Sequence, residues 1–155
     1  MKVKLTSKEM ILAANAGVLC QVENLKKQRV PAHGAGEKND WQLHIEGCLG
    51  EWAVAKGLGR YPSGLFRFRE SDLGDRIEVR TRPETWHDLL LHKEDDDKSR
   101  FVLAIGFNGE YDISGWVLGL EGKLDEYWKD PAGGRPAYFV PSKELHPFSE
   151  LIELL

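Results

Sequence analysis

The stretch Ser71-Asp72-Leu73-Gly74-Asp75-Arg76-Ile77-Glu78-Val79-Arg80-Thr81-Arg82 decides how this chain is read. From Arg76 on the residues alternate, with Ile77, Val79 and Thr81 on one face of an expected strand and Glu78, Arg80 and Arg82 on the other. A carboxylate and a guanidinium thus project side by side, just beyond an aspartate set at a glycine turn. About twenty residues upstream, Gly47-Cys48-Leu49-Gly50-Glu51 offers a third acid. Breaking a phosphodiester takes a water made nucleophilic and neutralisation of the charge that builds on phosphate and leaving oxygen, which divalent metals supply. Hard cations such as Mg²⁺ take oxygen ligands, so clustered carboxylates are the expected contribution of the protein.

Around this stretch the pattern is helical first and extended later. Thr6 or Ser7 caps a helix expected to reach about Gln28, with Met10, Ala13, Ala14, Gly17, Val18, Gln21, Val22 and Leu25 on its apolar side. The loop 31–39, with one proline and two glycines, reads as a plain connection. Asp40 caps a second helix to about Leu58, ended by Gly59. It carries His44 and Glu51, which seven residues of separation place about 20° apart around the axis. Strands are expected over 65–69, 76–82, 88–92, 101–107 and 111–118, with Asn108-Gly109 as a hairpin turn. A short helix over 121–128, a strand over 136–140 and a terminal helix over 148–155 complete the order.

A chain of 155 residues fits one domain and buries enough surface to be stable without staples. Its 41% apolar and 30% charged residues are ordinary for a soluble protein. No apolar run approaches the roughly 18 residues of a membrane span, and the first residues do not read as a secretory signal. A cytoplasmic setting is expected. Cys20 and Cys48 lack zinc or disulfide spacing and are expected to be reduced core residues. The net charge of -4 hides an asymmetry: residues 1–82 hold 14 Lys+Arg against 10 Asp+Glu, and residues 83–155 hold 7 against 15. The first half can face a polyanion, although no dense basic stripe is present.

Motif and element order together resemble the PD-(D/E)xK nuclease superfamily, the restriction-endonuclease-like fold. Ser71-Asp72 matches its "PD" element, Glu78-Val79-Arg80 its "(D/E)xK" element, and Glu51 its helical acid. The resemblance covers roughly 41–140, leaving 1–40 as an extra N-terminal helix and loop and 141–155 as a C-terminal helix. In finer detail the chain is similar to small proteins of tailed phages and bacterial genomes. The matching residues are Trp41-Gln42-Leu43-His44-Ile45-Glu46-Gly47, Gly50-Glu51, Asp72-Leu73-Gly74, Glu78-Val79-Arg80-Thr81 and Tyr111-Asp112-Ile113-Ser114-Gly115-Trp116.

The resemblance implies a single α/β domain with a mixed central sheet flanked by helices, and a nuclease dependent on Mg²⁺ or Mn²⁺ acting on nucleic acid, DNA foremost. Glu51, Asp72 and Glu78 would hold metal, Val79 would lend its carbonyl, and Arg80 would stabilise the phosphate. His44, Arg67, Arg69 and Arg82 would contact the nucleic acid. Arg80 stands where the superfamily usually has lysine, and a permanently charged guanidinium cannot act as a general base. The alternative is a non-catalytic module of the same fold that binds nucleic acid or a protein partner, including a phage-encoded protein directed at a host; a homodimer is allowed for.

Each of these residues also has a plainer reading. Glu51 can be a helix-surface acid paired with Lys56 or Arg60, Asp72 and Asp75 can serve turn chemistry alone, and Glu78 and Arg80 can be the wet face of an edge strand. His87 and His92 are background. Trp86, Trp116 and Trp128 are expected in core or sheet packing, and Glu94-Asp95-Asp96-Asp97 is expected to be a solvated loop.

Overall fold

The computed structural model describes residues 1–27, 39–60 and 72–155. The expected strand over 65–69 with Arg67 and Arg69, Ser71, and most of the loop 31–39 lie outside the described residues. The chain opens with a short strand that sequence pattern did not announce, β1 (Lys2–Lys4). Thr6 then starts α1 (Ser7–Lys26) with a reciprocal cap: Glu9 N–H donates to the Thr6 hydroxyl and Thr6 N–H to the Glu9 carboxylate. α2 (Asp40–Gly57) is capped by Asn39 rather than Asp40, the Asn39 side-chain carbonyl accepting from Trp41 N–H at 2.9 Å.

Strands β2 (Ile77–Arg82), β3 (Leu89–Leu91), β4 (Arg100–Phe107) and β5 (Glu110–Leu118) follow, close to expectation. The helix expected over 121–128 is replaced by one turn, α3 (Gly119–Gly122), a 3₁₀ turn at Asp125–Tyr127 and a two-residue strand, β6 (Trp128–Lys129). Two glycines weaken helix formation there, and Trp128 and Lys129 are drawn into pairing with β7 (Ala137–Val140). α4 (Phe148–Leu154) ends the order.

The protein is mixed α/β, as expected, with its strands divided between two sheets. One is four-stranded, in the order β1-β5-β4-β2, with β2 parallel to β4 and the remaining pairs antiparallel; the other is the antiparallel β3-β7-β6. The mixed sheet expected from sequence is present as β1-β5-β4-β2, while β3 leaves the line of β2 and β4 and pairs with β7 in the smaller sheet. The reason lies in β4, which is buried without a break from Phe101 to Ile105 and must be covered on both faces. Val102 and Ala104 pack with Ala13, Leu49, Ala53, Val54, Phe148 and Leu151 of the helices. Phe101, Leu103 and Ile105 pack with Leu89, Leu91 and Val140 of the small sheet.

Two backbone features hold this arrangement. Asn108 and Gly109 take φ of 53° and 82°, so the hairpin closes between Phe107 and Glu110 with the left-handed two-residue turn that β-ribbons favour. α1 and α2 run antiparallel, Asn24 meeting His44 at one end and Glu9 meeting Lys56 at the other. They touch at backbone level: a Cβ on Gly17 would fall 2.5 Å from Ile45 Cα. This contact narrows the buried side of α1 to Ala13, Gly17 and Gln21, and Leu25, expected on the apolar side, is 58% exposed.

Candidate active site

The site forms where α2 crosses β2. A Cβ on Gly50 would lie 1.9 Å from Thr81 Oγ1, so the helix rests directly on the strand at the residue before Glu51. Ile77 and Val79 pack into the helix-side core with Leu49, Ala53 and Val54. Glu78 and Arg80 consequently face the small sheet, where the Arg80 guanidinium lies 4.9 Å from the Phe101 ring centre and its Nε donates to the Leu90 carbonyl at 3.2 Å. The period-two alternation read from the sequence is the alternation observed.

β4 pairs with one side of β2, and the turn at Asp72 folds back along the other. Leu73 N–H donates to the Ile77 carbonyl at 3.3 Å, Ile77 N–H to the Gly74 carbonyl at 2.9 Å, and Val79 N–H to Asp72 Oδ2 at 2.7 Å. Gly74, Asp75 and Arg76 take successive φ values of 76°, 46° and 57°, the tight left-handed path that turns the chain into the strand. Glycine and aspartate tolerate that region better than arginine. Because N–H and C=O of one strand residue point to the same side, the Val79 carbonyl also faces the Asp72 side.

Three carboxylates approach this edge from different layers: Glu51 from the helix, Asp72 along the strand, and Glu78 from the opposite face. Glu51 keeps some contact with solvent, yet desolvation is the largest influence on its carboxyl and pushes it well above the ordinary carboxylate range, with Asp72, Cys20 and Glu78 adding to the rise. Asp72 as a residue is exposed, while its carboxylate is turned inward to Val79. Desolvation raises it, against the opposing pull of that hydrogen bond and of Arg80. Burial, then Asp72, push Glu78 up to about 7. Like charges brought together out of water behave in this way when a compensating cation is not at hand.

Arg80 is only partly that cation. Its Nη2 donates to Asp95 Oδ2 at 2.9 Å and its Nη1 stands 3.9 Å from Glu78 Oε2. Asp95 also accepts from His92 N–H at 2.8 Å. Asp97 pairs with Lys123 at 2.9 Å, and Asp96 accepts from Lys98 N–H at 3.1 Å. The acidic run is a solvated loop, as expected, with Glu94, Asp96 and Asp97 exposed, but it is tied down by these bonds, and Asp95 is a site residue that sequence reading missed. No local signal marks it, since its partner lies fifteen positions away on another element.

The remaining candidates occupy different places. His44 Nε2 is 2.9 Å from Asn24 Nδ2 at the seam between α1 and α2, and burial lowers its pKa. Arg82 continues the Glu78 and Arg80 face, and its Nε is buried without a hydrogen-bond partner among the described residues. Cys20 and Cys48 are free thiols on facing helices: the hydrogen bond from Cys48 holds the Cys20 thiol down, while that bond and burial push Cys48 up. Trp116 is buried, and Trp128 lies 4.6 Å from Tyr138 in the small sheet. Trp86, expected in packing, is instead 75% exposed.

An all-oxygen set of three desolvated acids fits a hard divalent cation by its chemistry. Among the described residues, no three His, Cys, Asp or Glu side chains are drawn together as a ready set of metal ligands. Nor is any described helix long and apolar enough to cross a membrane. Fold and site together define a mixed α/β protein with an acidic cluster at the edge of a strand that also presents arginines. Comparison of the chain with family models, curated proteins and solved structures gives no match.

Proposed function

We propose that the protein is a metal-dependent nuclease that hydrolyses phosphodiester bonds of nucleic acid, DNA foremost. The observation that carries this reading is that Glu51, Asp72 and Glu78 lie near enough to one another around β2 for Asp72 and Glu78 to raise Glu51 and for Asp72 to raise Glu78, with Arg80 on the same strand face as Glu78. Glu51, Asp72 and Glu78 would hold Mg²⁺ or Mn²⁺, together with the Val79 carbonyl on the Asp72 side. The cation supplies activation of water and charge neutralisation at the phosphate. The chain's own contributions are positional. The turn at Gly74 holds Asp72 against Val79, the Gly50–Thr81 contact sets the height of Glu51, and Asp95 with the Leu90 carbonyl fixes the Arg80 fork. Arg80 stays charged throughout and stabilises negative charge on phosphate rather than moving a proton.

The test is cleavage of plasmid, linear and single-stranded substrates with Mg²⁺ or Mn²⁺, run beside Glu78→Gln. Metal-dependent cutting that disappears in the variant is the expected result; cutting that survives at full rate overturns the assignment. The second reading, a module of this fold that binds without cutting, is favoured by one observation: much of the hydrogen-bonding capacity of Arg80 is spent on Asp95 and Leu90. Binding that ignores both metal and Glu78→Gln would select it.

A further inference from the structure

Trp86 is the most exposed of the large apolar side chains described, at 75%, on the loop that follows directly from β2. Leaving an indole in water forfeits one of the largest burial gains any side chain offers. The ring is nonetheless backed. Its centre lies 4.0 Å from that of His87 at an interplanar angle of 32°. His87 is tied in turn, its Nδ1 accepting from Glu84 N–H at 3.1 Å while its own backbone N–H donates to the Glu84 carbonyl at 3.1 Å. An exposed aromatic on a closed loop is a preorganised flat surface.

Its neighbourhood indicates what that surface takes. Arg82 precedes the loop on the same strand face as Glu78 and Arg80, and its Nε is a buried donor without a partner among the described residues. Along the strand, Glu78 and Arg82 are about 13 Å apart at roughly 3.3 Å per residue. A polynucleotide with its reacting phosphate at Glu78 that follows β2 reaches Arg82 at the end of the strand, and the loop bearing Trp86 begins there. A cation for phosphate followed by an aromatic face for a base is the pairing found in single-strand binding. Bases inside a duplex do not offer a free face.

We propose that Trp86, backed by His87, is a stacking platform for an unpaired base of a nucleic-acid strand whose phosphate is held at Arg82. This rests on the nuclease reading of the neighbouring acids and narrows its substrate to single-stranded or locally unpaired nucleic acid. Asp88, just after the loop, is the acid whose charge bears on Arg82, so a phosphate held there competes with it.

The test is binding of a labelled oligothymidylate of about 12 nucleotides, and of the matching duplex, in EDTA so that no cutting intervenes. Parent, Trp86→Ala, Trp86→Phe and Arg82→Gln are compared by anisotropy at several salt concentrations, with circular dichroism to verify folding. Trp86→Ala is expected to weaken single-strand binding by about 5- to 100-fold with the salt slope kept, and Trp86→Phe to restore most of it. Arg82→Gln is expected to lower the salt slope by about 1. Unchanged single-strand affinity in Trp86→Ala overturns the platform, as does equal weakening for duplex and single strand. A parent that binds neither oligonucleotide, while a protein partner is lost in Trp86→Ala, overturns it in favour of a protein interface. Because binding in EDTA does not involve Glu78 chemistry, loss of the platform with cutting intact, or the reverse, shows which of the two readings has failed.

Discussion

Replacing Glu78 by glutamine should make the metal-free protein more stable, by an amount that grows as pH rises from about 4.5 to about 7 and is constant above that. The Glu78 carboxyl rises from the ordinary 4.5 to about 7 in the folded chain, chiefly through burial and then through Asp72. A raised folded-state value means that the folded chain binds this proton more tightly than the unfolded one. Stability from this group is therefore complete below about pH 4.5 and is lost as pH rises through about 7. At about 1.4 kcal/mol per tenfold change in proton affinity, the loss at pH 8 is about 3 kcal/mol at most. The side chain is 28% exposed and Arg80 Nη1 stands 3.9 Å away, so screening and the lost attraction reduce the benefit of Glu78→Gln. A net gain of about 1–2 kcal/mol at pH 8 remains, or about 3–6 °C in Tm for a chain of this size. The assay is urea and thermal unfolding of parent and variant in EDTA at pH 5, 6, 7 and 8. A difference that does not change with pH, or a variant that grows less stable toward pH 8, would falsify the claim that an uncompensated carboxylate sits at this edge.

Other expectations concern the supports of the site. Arg80→Ala strips Asp95, whose side chain is only 18% exposed, of its ion pair and the Leu90 carbonyl of its donor. It should cost about 2 kcal/mol in urea unfolding, with Arg80→Lys recovering part of that because it keeps the charge and loses the fork. Gly17→Ala should destabilise by about 1–3 kcal/mol, since its Cβ would meet the Ile45 backbone, which cannot rotate away. Gly47→Ala lies within the same helix pair but meets nothing within 4 Å, and should stabilise by about 0.5–1 kcal/mol through helix propensity alone. Equal effects from the two glycine variants would show that α1 and α2 do not touch at Gly17.

Much of this chain is legible from local chemistry alone. The helix start at Thr6, the Asn108-Gly109 turn and the alternation from Ile77 to Arg82 each depend on residues a few positions apart, and each is found where pattern placed it. The continuous burial of β4 reads the same way, because a run with apolar residues on both faces cannot rest on water. Where local signals were weak, pattern failed: β1 is three residues paired to a strand more than a hundred positions away, and the stretch after Gly119 follows sheet pairing rather than helical spacing.

For the site, sequence determined which carboxylates share a short span and that Glu78 and Arg80 share a face. Only tertiary structure decided that Glu51 arrives from one layer and Glu78 from the other, that Asp95 clamps Arg80, that His44 turns to Asn24, and that Trp86 stands in solvent. Those outcomes are set by the crossing of α2 over β2 at Gly50 and by the departure of β3 to its own sheet. Contacts between distant residues depend on how whole surfaces fit, and surface fit is a property of the packed layers rather than of any window of sequence.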